Sequence, residues 1–320
     1  MNFKRHFNYC FLLLTAIAIT GSSCQKKEAE FNIGTTGTIE IEVTDAPIDN
    51  PEVRNAFITL SGITFLDTNL LQEKTSIDLM AYQKGNTKTI GTFQIPAATY
   101  DHLSLQLDLQ EDAFGSIPGC FVATEQGKKH NLYPSNNLFK TLTLPLENLE
   151  IAPNDNMTLL LDFDLRKLIR YGELASEIKY QFVDDRSMED AIRVLDKKNT
   201  GSIKGTFNDN TGEDFMVMVY AYQSGTFNRS REIRASETDL PNFFSAENSS
   251  KLENDGTLFL PFLNKGSYEL IFAAISKGSN RDLIGILDVQ SNSGSDFSNI
   301  PVEPGNEINL RGSILKLLPY

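Results

Sequence analysis

From Gly37 to Asp45 the chain reads Gly-Thr-Ile-Glu-Ile-Glu-Val-Thr-Asp, with Ile39, Ile41 and Val43 at alternate positions and Glu40, Glu42 and Thr44 between them. A period of two puts one set on each face of a strand, so this stretch can bury one face and wet the other. The pattern recurs. Ala56–Leu60 and Ile63–Leu66 flank Ser61-Gly62, and Lys88–Ile95 alternates again. Leu103, Leu105, Leu107 and Leu109 share one face, and Leu138–Leu146 and Met157–Phe163 repeat the theme. Two short helices are expected, one over Leu165–Tyr171 with Asp164 as its cap and Gly172 as its stop, the other over Ser187–Ala191. Ile192–Leu195 reads as a closing strand.

Asp196-Lys-Lys-Asn-Thr200 is a polar hinge, and beyond it the strand pattern restarts. Gly201–Phe207, Phe215–Tyr222, Thr257–Phe262, Tyr268–Ala274, Leu283–Val289, Ile300–Val302 and Ile308–Leu317 read as strands, and the polar Phe227–Asp255 stretch as a long loop. The chain is therefore expected to be all-β, with two β-sandwich domains in tandem (37–196 and 197–320) and one or two short helices. Gly37-Thr-Ile-Glu is echoed by Gly201-Ser-Ile-Lys, and Pro96-Ala-Ala-Thr-Tyr100-Asp by Asn264-Lys-Gly-Ser-Tyr268-Glu. Two related sandwiches would give this echo, and so would the common grammar of strands.

The N-terminus carries a different message. Lys4 and Arg5 precede an apolar run that is too short to span a bilayer, and small residues then lead to Cys24. Basic, apolar, small and cysteine in that order predict a lipoprotein signal peptide over 1–23 and lipidation of Cys24. Gly21 stands where Leu is usual, a looser form found in Bacteroidota, and an ordinary secretory signal with a chance cysteine is the alternative. Gln25–Glu30 is polar and charged, which suits a surface-export signal or a solvated tether over 24–36. The expected location is the outer membrane, lipid-anchored and facing the cell surface, held by acyl chains that contribute about 0.8 kcal/mol per buried methylene.

The net charge is −13, and loss of Lys4 and Arg5 with the signal makes the mature chain more acidic still. Such a surface repels phosphate backbones, so nucleic acid is not an expected partner. Of three cysteines only Cys120 remains after processing and lipidation, which leaves no intrachain disulfide to form.

Candidate chemistry is thin. His102 and His130 lack partners at metal-motif spacing, and a surface histidine is the simpler reading of each. Cys120 reads as a small apolar filler. Asp162 and Asp164 lie on one strand face and are weak candidates for a metal site, although calcium takes about 6–8 oxygen ligands and strand-end capping with solvation explains the pair more simply. Trp is absent, so stacking on a glycan would fall to Tyr220, Tyr222, Phe243 or Phe244. Phe243-Phe244 sit inside a polar stretch, where they either face a ligand or fold back on the sandwich edge. No cofactor and no catalytic role are expected.

The strand ending Val43-Thr44-Asp45-Ala46-Pro47, the pair around Phe57-Ile-Thr-Leu-Ser-Gly62-Ile-Thr-Phe, Ile95-Pro-Ala-Ala-Thr-Tyr100 and Leu161-Asp-Phe-Asp164 resemble the domain-of-unknown-function family 4382 over Gly37–Asp196. That resemblance implies an envelope lipoprotein and carries over no functional residue. Gly201-Ser-Ile-Lys-Gly, Val217–Tyr222 and Leu263-Asn-Lys-Gly-Ser-Tyr268 resemble the carboxypeptidase-regulatory or transthyretin-like sandwich, which implies an accessory or spacer. The expected function is a non-catalytic surface lipoprotein acting as a structural or adhesive module. The alternative is a glycan- or nutrient-binding lipoprotein serving an uptake system, with a glycan or protein ligand.

Overall fold

The computed structural model describes residues 35–46, 50, 52–132, 138–174, 177–233, 241–277 and 282–319. The predicted signal, Cys24 and nearly all of the tether lie outside them. Asn32 to Tyr320 forms one compact unit with all-β architecture. No helix among the described residues is long and apolar enough to cross a membrane.

The first half is a sandwich of two sheets. In one, Thr36–Ala46 is central, antiparallel to Lys88–Pro96 on one side and parallel to Asn156–Asp164 on the other. Ile192–Asp196 closes that sheet against Asn156–Asp164. The facing sheet is built on Val53–Phe65, Ala98–Asp108 and Phe139–Ile151, with Phe121–Thr124 and Lys129–Asn131 at its edge. Ile39, Ile41 and Val43 are fully buried between the layers with Leu103, Leu105 and Leu107, as period-two burial requires.

The second half is one continuous sheet folded over on itself. Its order runs Asn248–Lys251, Met216–Gln223, Gly266–Ile275, Leu283–Ser291, Glu307–Pro319, Thr200–Asp209, Thr257–Asn264. The two end strands meet, since Asn248 donates from its amide to the Pro261 carbonyl at 2.7 Å. Ile203, Phe207, Val219 and Leu260 fill the interior. Met218, Tyr220 and Tyr222 point the other way into a smaller core with Phe243 and Ala246. Burial on both faces explains the nearly unbroken apolar run from Phe215 to Tyr222.

The two halves repeat one plan. In each, the opening strand pairs antiparallel with a middle strand and parallel with a late one. In each, the middle strand passes through a one-residue link into the other layer. The Tyr100 hydroxyl donates to the Pro96 carbonyl at 2.7 Å and the Tyr268 hydroxyl to the Asn264 carbonyl at 3.0 Å, the same four-residue corner at the same place. Gly37 and Gly201 also correspond. A Cβ on Gly37 would lie 2.5 Å from the Ile151 side chain and 2.9 Å from the Ala152 carbonyl, and one on Gly201 would lie 2.5 Å from the Glu303 carbonyl. Thr38 N donates to Asp155 O at 2.7 Å and Ser202 N to Asn306 O at 2.9 Å. The echo read from the sequence is thus a repeated topology with repeated local bonds.

Four local expectations change. Helix forms only over Leu165–Leu168, after which Ile169–Leu174 enters a hairpin with Glu177–Phe182. β-Branched Ile169 and aromatic Tyr171 favour the strand, and Gly172 lies within it rather than ending a helix. Asp164 occupies the cap position without a capping bond, because its carboxylate is held by Arg166. Ser61-Gly62 is a bulge inside the single strand Val53–Phe65 rather than a break between two strands. The 227–255 stretch holds a helical turn at Arg229–Glu232, capped by Asn228, and the edge strand Asn248–Lys251.

Candidate functional site

The Asn156–Asp164 strand delivers Asp162 and Asp164 to the junction of the two halves, and the turn that follows delivers Arg166 and Lys167. All four are buried. The Asp162 and Asp164 carboxylates are therefore not solvated strand-end groups. Asp162 receives Arg193 Nε at 3.0 Å and a second bond from Arg193 Nη2, and Asp164 receives Arg166 Nη2 at 2.9 Å. One oxygen of each carboxylate holds a guanidinium, Asp164 Oδ1 has no partner among the described residues, and no cluster of three or more metal-ligating side chains occurs among them.

Arg166 reaches further. Its Nη1 donates to the carbonyls of Asn242 at 3.0 Å and Phe243 at 2.9 Å, and its guanidinium lies 5.2 Å over the Tyr220 ring. Lys167 Nζ donates to the Ala246 carbonyl at 2.7 Å and lies 5.5 Å over the Phe244 ring. Phe243 is 0 % exposed and stacks on Tyr220 at 4.1 Å, while Phe244 is half-buried. Tyr220 and Tyr222 are buried too. The aromatic pair thus receives the protein's own first half, and Phe243 is closed to an outside ligand. Glu232 shapes the receiving loop, accepting from the Tyr222 hydroxyl at 2.9 Å and from Ser245 N at 3.0 Å. Burial pushes the Tyr222 hydroxyl up, reinforced by the Glu232 charge beside it. Burial pulls the Lys167 ammonium down, against the attraction of Asp164.

Asp45 lies in the same region, in the Thr44-Asp45-Ala46-Pro47 signature. Its neighbours are neutral donors, Gln83 Nε2 at 2.8 Å and Leu165 N at 3.3 Å. Burial holds its carboxyl well above the usual range, and the charges of Asp164 and Asp162 add to the effect. Thr44 Oγ1 donates within 2.9 Å of the Tyr82 carbonyl and 2.8 Å of the Asn86 carbonyl. The signature therefore pins the Tyr82–Asn86 segment and the Leu165 turn.

Beside this cluster a cleft of about 930 Å³ opens between the halves. Thr44, Asp45, Met80 and Gln83 line it from the first half, and Met216, Ser249, Glu253 and Phe259 from the second. Sequence reasoning nominated none of these as a cleft and missed Asp45, Arg166, Lys167, Arg193 and Glu232. The available signal was the charged run Asp162-Phe-Asp164-Leu-Arg166-Lys167.

The remaining candidates have local roles. His102 Nδ1 lies 2.6 Å from Asp101 on the surface, and the His130 ring meets Tyr180 edge-on at 5.0 Å. Burial pushes the Cys120 thiol up to about 12, so it stays protonated and poorly nucleophilic at neutral pH. Asp184 caps the Asp185–Asp190 helix, accepting from Ser187 N at 3.1 Å.

Residues 36–182 match the family described as a domain of unknown function (DUF4382), in agreement with the resemblance carried by the Thr44–Pro47 signature. No curated protein matches the chain. Among solved structures it is similar to the TIE protein of Bacillus anthracis, with 13% identity, 89% of this chain and 34% of that one covered, and a TM-score of 0.19. A leucine-rich repeat protein from Bacteroides thetaiotaomicron gives 11%, 88%, 26% and 0.23, and the minor pilin GBS52 of Streptococcus agalactiae 11%, 88%, 97% and 0.21. The chain spans about a third and a quarter of the first two.

Proposed function

We propose that this is a lipid-anchored envelope protein, held by acyl chains on Cys24 in the outer membrane and facing outward, whose two sandwiches act as one structural or adhesive module without catalysis. The observation that carries the reading is the buried latch. Arg166 and Lys167 of the first half are enclosed by three backbone carbonyls and two aromatic rings of the second. A guanidinium held by two carbonyls, a carboxylate and a ring fixes orientation closely, and fixed orientation is what a spacer or adhesin needs. Membrane fractionation with palmitate labelling tests the anchor. Cys24→Ser should abolish the label and release the protein, and a variant that stays labelled in the membrane fraction sinks the reading.

The cleft favours a second reading, a glycan- or nutrient-binding lipoprotein that works with an uptake system. About 930 Å³ is ample for a small polar ligand. Reproducible capture of one class of small molecule would favour this reading over a purely structural role.

A further inference from the structure

We infer that the cleft between the two halves binds a primary ammonium group on an aliphatic stem, either a free polyamine or a lysine side chain of a peptide. The inference rests on the second reading above, that the cleft is a binding site.

Its floor holds acceptors that want a donor. Ser249 is 1 % exposed, lines the cleft, and its Oγ has no hydrogen-bond partner among the described residues. Ser249 stands opposite Tyr220 in the strand pair, so it shares the face that Tyr220 turns toward Arg166. A buried hydroxyl without a partner is destabilising, so a donor that reaches it is stabilised. Asp45, contributed by the first half, accepts from the Gln83 amide and the Leu165 N–H among the described residues.

Charge selects among donors. The lining carries Asp45, Asp162, Asp209, Glu213, Glu253 and Asp255 against Lys84, Lys251 and Lys277. Asp162 is matched by Arg193, Glu253 by Lys84 at 2.6 Å, and Lys277 is drawn to Asp214 outside the lining. Asp209, Glu213 and Asp255 then face Lys251. Asp209 and Asp255 each use one oxygen on their own turns, with Thr211 and Thr257. The remaining field is negative and favours a cation. An ammonium has three donors and no acceptor, which suits carboxylates and a serine oxygen. Met80, Met216, Phe259 and Pro261 supply apolar wall for methylenes.

The test is calorimetric titration of the full chain in mild detergent with spermidine, with a Gly-Lys-Gly tripeptide capped at both termini and carrying a free side-chain ammonium, and with maltotetraose. We expect saturable binding of at least one amine, weakened by added salt, and no binding of the neutral sugar. Spermidine alone identifies a free polyamine, and the tripeptide alone a lysine side chain. Ser249→Ala and Glu213→Gln should each weaken the amine by about three- to tenfold. Glu213 is exposed, so its variant tests the charge without disturbing the core. Binding of maltotetraose without the amines overturns the ammonium assignment and leaves the cleft as a binding site. No binding of any probe overturns both. Amine binding unchanged in both variants places it elsewhere and overturns the proposal.

Discussion

The two halves share a strand order and part company at one edge. In each, the sheet that holds the opening strand runs from a covering strand through the late parallel strand and the opening strand to the middle strand. In the second half the cover is Leu283–Ser291, which also belongs to the other layer and so joins both layers into one sheet. In the first half the corresponding strand, Phe139–Ile151, stays in its own sheet, and the cover is Ile192–Asp196. An uncovered strand edge is a site for unwanted pairing, so each half must fill it. The second half does so from within. The first uses the segment that leads into its neighbour, and gains a fixed junction in return.

The largest expected effect comes from cutting that junction. Arg166→Ala leaves the buried Asp164 carboxylate without its guanidinium and should cost about 3–5 kcal/mol. Differential scanning calorimetry should then split one transition into two, one per half. A single unshifted transition would show that the latch does not couple them.

The glycine correspondence comes next. Gly37→Ala and Gly201→Ala force the same close approach and should each destabilise by about 1–3 kcal/mol in denaturant titration. If only one does so, the repeat is superficial at that site.

The tyrosine corners are finer. Tyr100→Phe and Tyr268→Phe each delete one hydrogen bond and should each cost about 1 kcal/mol. Equal losses support the repeat, and a large loss at one corner with none at the other breaks it.

The subtlest difference is titration. Burial raises the folded-state pKa of Asp45, so above the unfolded value, near 3.8, the folded chain binds the proton more tightly than the unfolded one. Its contribution to stability therefore falls as pH rises from there toward the folded pKa. Asp45→Asn should remove that slope, gaining stability on wild type toward neutral pH and losing the advantage near pH 4. Parallel melting curves across that range test the sign.

Strand positions were legible because alternation is a local property. Ile300–Val302 and Thr36–Ala46 follow directly from it. The Leu165–Tyr171 region is ambiguous because Leu165, Leu168 and Ile169 fit a helical face while Ile169 and Tyr171 alternate as in a strand, and the strand partner, Glu177–Phe182, comes later in the chain. The latch was illegible for a different reason. Its acceptors are backbone carbonyls 76 to 79 residues further along, and any residue has a carbonyl. What the sequence did show was Phe243-Phe244, an apolar pair too costly to leave in water. Their surroundings identify the partner as the chain's own Arg166 and Lys167.

The late edge strand Ile192–Asp196 has a consequence in time. A chain that emerges N-terminus first can assemble the 36–182 segment matched by the family and still lack the cover for Asn156–Asp164. The first half completes only when Asp196 has emerged, and the latch only after Ala246. Until then the open edge is a place where nascent chains could pair with each other. The order of synthesis closes the first half with its own last strand, and the junction only with the second half.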